Sequence, residues 1–280
     1  MSEFATLHPY DPQFVRAYVA AIRGDMPAAE LLPAAPDWAN RELARARRGY
    51  QRALTGDETG ANMVSHELAR LLGAGMPVYF VPGAGLTQIE ARFDRGLGML
   101  LRPPSRLFMD AGLESRAARR MPIRLDASGG SMGGAFLSPA LVPQFRAQIE
   151  ARLERLARRM AEAEMDAPAY VGILLEAASF AESRGLGLFE AADVVVPGVA
   201  ESEPPGLTLL QPDRKRLDKP LRLQLEEAAR PPKEPGLFAR VFRGAKPAQT
   251  HVALDDPRLW RGVNDVTPPP EPLNAHEEAP

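Results

Sequence analysis

Apolar residues recur at helical spacing through most of the first 200 positions of the chain. Asp11-Pro12 has the form of a cap followed by a first-turn proline, and Phe14, Val15, Tyr18, Val19 and Ile22 then mark one face until Gly24. After a loop over 31–36, Asp37 is placed to cap a second helix striped by Trp38, Leu43, Ala46, Tyr50 and Leu54 among arginines. A third helix is predicted from about Glu58, with Val64, Leu68, Leu71 and Leu72 inward and an end at Gly73. His66 lies off that stripe and reads as a solvated helix position. From Val142 the signal is strongest: Phe145, Ile149, Leu153, Leu156, Met160 and Ala163 step by three and four, opposite Arg146, Glu150, Glu154, Arg158 and Glu162. Asp166-Ala167-Pro168 then restarts a helix that is apolar around much of its girth and stops near Gly185.

The middle of the chain has a different rhythm. Residues 77–81 (Pro-Val-Tyr-Phe-Val) are a β-favouring run closed by Pro82-Gly83-Ala84-Gly85, and read as a buried strand and a turn. Residues 105–109, 121–125 and 194–196 are shorter strand candidates. Four such strands make one small sheet, too little for a doubly wound domain built on repeated βαβ units. The predicted class is therefore mainly α with a small β element (α+β), a helical globular domain over 1–200 followed by a proline-rich tail over 201–280.

That division rests on proline and charge. Residues 201–280 hold 14 of the 28 prolines and all four lysines, Lys215, Lys219, Lys233 and Lys246. Outside a short helical pattern at 221–230, prolines interrupt the tail too often for a long helix and its apolar content is thin, so it is expected to be largely disordered in isolation. Residues 213–246 carry 10 basic and 5 acidic groups, whereas 247–280 carry 2 and 6, so the near-neutral total of -2 hides a basic block and an acidic one.

Composition removes several chemistries. Without cysteine there is no disulfide framework, thiolate nucleophile or cysteine-ligated metal. His66-Glu67 begins like the zinc motif H-E-x-x-H, but Arg70 stands where the second histidine must return. No cofactor is expected. The acidic start Met1-Ser2-Glu3-Phe4 lacks the regions of a signal peptide and no run of 18 apolar residues occurs, which points to a cytoplasmic protein without a membrane span. The charge balance offers no field for nucleic acid.

Gly129-Gly130-Ser131-Met132-Gly133-Gly134 satisfies G-x-S-x-G behind the candidate strand 121–125. The hexapeptide resembles the nucleophile elbow of α/β-hydrolases, in the wording seen in homoserine acetyltransferases. That resemblance implies Ser131 as nucleophile, the Met132 amide as one oxyanion donor, and the loop after Phe80-Val81 as the source of the second. The triad order would then require Asp193 as acid and a histidine from the tail, His251 or His276. Against this, Ser138-Pro139 and Pro143 interrupt the helix an elbow needs. The plainer readings are a flexible strand-to-helix connection and a glycine-rich anion-binding turn. Asp110 and Asp126, each ending a candidate strand, could meet as a carboxylate pair or serve as ordinary turn residues.

The tail carries two candidate docking segments. In 235–244, Leu237, Phe238, Val241 and Phe242 would form one helical face ringed by Arg240, Arg243 and Lys246; residues 236–246 could also make weak contact with an anionic membrane surface. The second is 254–260, anchored by Trp260. With no complete catalytic set, the sequence points to a non-catalytic subunit or adaptor acting through protein–protein contacts, with a partner or a second copy as its target. Its tail would dock on that partner or on its own core, and a divergent serine hydrolase or acyltransferase is the alternative.

Overall fold

The computed structural model of the protein describes residues 4–119, 121, 132–195 and 204–230. At its centre runs β1 (Ala5–Tyr10), every residue of which is buried. Four helices follow: α1 (Pro12–Arg23), α2 (Ala28–Leu31), α3 (Pro36–Leu54) and α4 (Glu58–Gly73). The cap expected for α1 forms, the Asp11 carboxylate accepting from Gln13 N–H, and α4, for which the sequence named no cap, is capped by Asp57, which accepts from Thr59 and Gly60 N–H. Asp37, expected to be a cap, lies in the first turn of α3, because the helix begins one residue earlier at Pro36.

The next stretch holds β2 (Val78–Phe80), α5 (Leu86–Gln88) running into a π turn (Ile89–Phe93), α6 (Arg95–Gly98), α7 (Pro104–Asp110) and α8 (Ser115–Ala118). Helix α7 corrects the strand expected over 105–109: Pro104 presets the first turn and Gly112, at φ 92°, follows its end. Then come β3 (Met132–Leu137), α9 (Val142–Glu150), α10 (Leu153–Glu162), α11 (Ala167–Ser183), β4 (Gly187–Ala192), β5 (Leu209–Leu210) and α12 (Lys219–Ala228). The single long helix expected from Val142 is two, broken at Ala151–Arg152. Arg152 turns there so that its guanidinium bonds the Gln148 side chain at 2.8 Å and approaches Asp94 at 3.6 Å.

The sheet order is β3-β4-β1-β2-β5. Strands β1 and β4 are antiparallel from Ala5↔Ala192 to Tyr10↔Gly187, β3 flanks β4 with Met132↔Ala192, and β5 joins β2 in parallel. Residues 194 and 195, expected in a strand, lie beyond β4 as buried irregular chain. Alternation along the strands divides the interior in two. Tyr10, Phe136, Phe189 and Ala191 face α1–α4, α7 and α8, whereas Leu7, Tyr79, Ala135 and Leu188 face α5, α6 and α9–α12. Helices thus cover both faces of a small sheet, and the fold is mainly α with a small β element.

Part of the proline-rich region belongs to this fold. Within 204–230, β5 extends the sheet and α12 buries Leu225 completely, while Leu217 is buried against the same core. Among the described residues, no helix is long and apolar enough to cross a membrane.

Candidate functional site

Two buried polar clusters face each other across the sheet. On the α5 side stands Glu190, an acid in the middle of β4 with no exposed surface. Its carboxylate accepts from the Thr87 amide (3.2 and 3.3 Å), the Thr87 hydroxyl (3.1 Å) and the Ala135 amide (3.2 Å). Two glycines make the space: a Cβ at Gly85 or Gly134 would fall closer than 3.0 Å to the carboxylate. Burial, reinforced by the nearby Glu90, raises the acid to about 7 despite the three donors, which act in the opposite sense.

These are the glycine-rich segments that the sequence singled out. The turn after β2 and the Gly133-Gly134 end of the hexapeptide converge, and what they cradle is the protein's own carboxylate. The amides that bond it, Thr87 and Ala135, lie just beyond these segments and hold β3, β4 and α5 together. Met132–Leu137 is strand, so the chain after position 131 runs into the sheet, whereas an elbow leads from a strand into a helix. Ser131 itself, with the candidate strand 122–125, lies outside the described residues.

On the other face, α4 presents His66, Glu67 and Arg70 toward β1, α3 and the end of β4. His66 is buried, not solvated as expected, with 9% of its surface exposed. Its Nε2 lies 3.5 Å from the Asp193 carbonyl and its Nδ1 3.8 Å from the Glu67 carboxylate. Arg45 and Arg70 also meet Glu67, and both bond Glu42. Burial opposes the Glu42 charge, but the hydrogen bonds from its neighbours prevail and hold it down to about 2, whereas burial pushes Glu67 up. Arg70 in turn lies 5.9 Å over the Trp38 ring.

Beside this cluster is His8, fully buried on β1. The Thr6 hydroxyl donates to the Ala191 carbonyl, so its 2.8 Å contact with His8 has Nε2–H as donor. That fixes the tautomer, and Nδ1 is left without a hydrogen-bond partner among the described residues. Burial first, and the facing His66 second, lower His8 to about 3.

The remaining candidates divide by location. Asp110 is 68% exposed in its side chain at the end of α7 rather than of a strand, and Asp126 lies outside the described residues. Asp193 follows β4 in the left-handed region at φ 55°. Leu237, Phe238, Val241, Phe242, Trp260, His251 and His276 lie outside the described residues. Among those described, no three of His, Asp or Glu come together as metal ligands. Glu190 escaped the sequence reading because a charged residue interrupts the apolar run 186–192, and with Phe189 and Ala191 apolar as well as Leu188 and Ala192, no alternation marks it as an inward strand position. No known protein family, curated protein or solved structure matches the chain.

Proposed function

We propose that the protein is a non-catalytic subunit or adaptor acting through protein–protein contacts, with its C-terminal segments as the docking element. The observation that carries this reading is the behaviour of 204–230. A stretch with the composition of the tail adds a strand to the sheet and lays α12 on the core with Leu225 fully buried. Fifty further residues follow Arg230, including the apolar segment at 237–242 and Trp260. Removing 231–280 takes away no residue of the described fold and should reduce recovery of co-purifying partners at least several-fold, measured by quantitative mass spectrometry on the tagged protein. Unchanged recovery would sink the tail's role.

A second reading keeps Ser131 as a nucleophile, and one observation favours it. His66 reaches the Asp193 carbonyl, one residue past Ala192, which is the register partner of Met132. A histidine backed by Glu67 therefore stands at the end of the strand into which the motif leads. The adaptor reading expects a fluorophosphonate probe to label the protein and Ser131→Ala alike, at background. Labelling lost in both Ser131→Ala and His66→Gln would overturn it in favour of the hydrolase.

A further inference from the structure

An open groove of about 550 Å³ lies between the start of α11, the turn at 213–216 and α12. Asp166 and Glu226 both approach the Arg214 guanidinium, at 2.7 and 3.7 Å. Lys215 and Arg222, which line the same groove, form no ion pair with a carboxylate among the described residues. Leu223 lines it too with 52% of its surface exposed, and only Met99 among the described large apolar side chains is comparably exposed. Two unmatched cations beside an uncovered leucine suit a peptide that is both acidic and apolar.

The chain carries such a peptide. Leu254-Asp255-Asp256-Pro257-Arg258-Leu259-Trp260 sets two adjacent carboxylates between apolar residues, in the block of the tail with 2 basic and 6 acidic groups. The described fold ends at Arg230, eight residues beyond Arg222, or about 12 Å if helical spacing held throughout. The 23 residues from 231 to 253 can span up to about 80 Å. Reach is therefore ample, and tethering of this kind gives an effective concentration on the order of millimolar.

We propose that residues 254–260 dock in cis in this groove, with Leu259 and Trp260 on Leu223 and with Asp255 and Asp256 beside Lys215 and Arg222. This rests on the reading that the tail docks, and assigns this segment a seat on its own core. The chain has two tryptophans, so Trp38→Phe leaves Trp260 as sole reporter in the full-length protein. Acrylamide should quench it several-fold less efficiently than in a free 247–280 peptide, equally at submicromolar and at tens of micromolar protein.

Lys215→Glu with Arg222→Glu should raise quenching to the peptide's level, and adding Asp255→Lys with Asp256→Lys should restore protection. Quenching equal to the peptide's overturns the proposal, as does protection indifferent to charge reversal. Protection that grows with protein concentration also overturns it and assigns the contact to a second copy. Because the chain lacks cysteine, Leu223→Cys with Leu259→Cys gives an independent check. Mild oxidation should yield a monomeric cross-link, and its absence counts against the seat. If partner recovery still depends on 231–280 while cis protection is absent, docking in trans stands and the cis seat falls.

Discussion

Between about pH 4.5 and 6.5 the contributions of Glu190 and His8 to the stability of the protein should nearly cancel, so that Glu190→Gln and His8→Gln tilt it in opposite directions. Glu190 is raised in the folded state from 4.5 to about 7. Across that window the folded chain keeps a proton that the unfolded chain has released, so the group's stabilisation is complete below pH 4.5 and is lost as pH rises toward 7. His8 is lowered from 6.5 to about 3. Here the unfolded chain binds the proton and the folded chain does not, so its contribution is complete above pH 6.5 and is lost as pH falls toward 3.

The two windows overlap for about two pH units, and each group contributes a slope of about 1.4 kcal/mol per unit, of opposite sign. Relative to the wild type, Glu190→Gln should therefore gain roughly 2 kcal/mol from pH 4.5 to 6.5, because the slope is only half-developed at the unfolded pKa, and His8→Gln should lose as much. Each substitution adds a constant cost, since glutamine cannot reproduce the contacts with Thr87 and Ala135 or with Thr6. Only the pH-dependent difference tests the argument, and titrations of Glu42 and Glu67 cancel from it while their surroundings are unchanged. Urea denaturation at half-unit steps of pH gives the three curves. Parallel curves would mean that neither group is buried in the protonation state described.

The cancellation also bears on what the sequence could disclose. Helices α1, α3, α4 and α11 were legible because their stripes and caps act within a few residues. Strand β2 was legible because all its residues are apolar or aromatic. Strands β1 and β4 were hidden by the groups that matter most: Thr6, His8 and Pro9 interrupt one, Glu190 the other. Pro9 is tolerated because β2 pairs only with Thr6 and Leu7, which leaves β1 with one neighbour at that point. Glu190 and Thr6 are satisfied by partners distant in sequence, Glu190 by Thr87 and Ala135 and Thr6 by Ala191. No local pattern announces such a partner. The glycine-rich segments were visible as segments, but the carboxylate they enclose was not.

A last pair of glycines makes the same point with a sign that local propensity gets wrong. Gly49 lies inside α3 and Gly60 in the first turn of α4, where replacement of an interior glycine by alanine normally stabilises a helix by up to about 1 kcal/mol. Here each occupies the other's crossing point. A Cβ on Gly49 would meet the Gly60 carbonyl at 2.7 Å and the Met63 Cβ at 2.8 Å, and one on Gly60 would meet the Gly49 carbonyl at 2.6 Å. The helices must separate to admit either methyl, and α3 also carries Glu42 and Arg45 of the buried ion-pair cluster.

Gly49→Ala and Gly60→Ala should each therefore destabilise the protein by about 1–3 kcal/mol. Gly49→Val should cost more, because branching is added to the overlap. The two alanine effects should fall short of additive, since one separation of the helices relieves both contacts. Gly75, where an added Cβ meets nothing within 4 Å, supplies the control and should tolerate alanine within about 0.5 kcal/mol. Urea midpoints for the four single variants and for the double alanine variant decide the matter. If Gly49→Ala and Gly60→Ala gain stability, the helices do not cross in backbone contact, and the packing that fixes His66, Glu67 and Arg70 against Glu42 must be drawn differently.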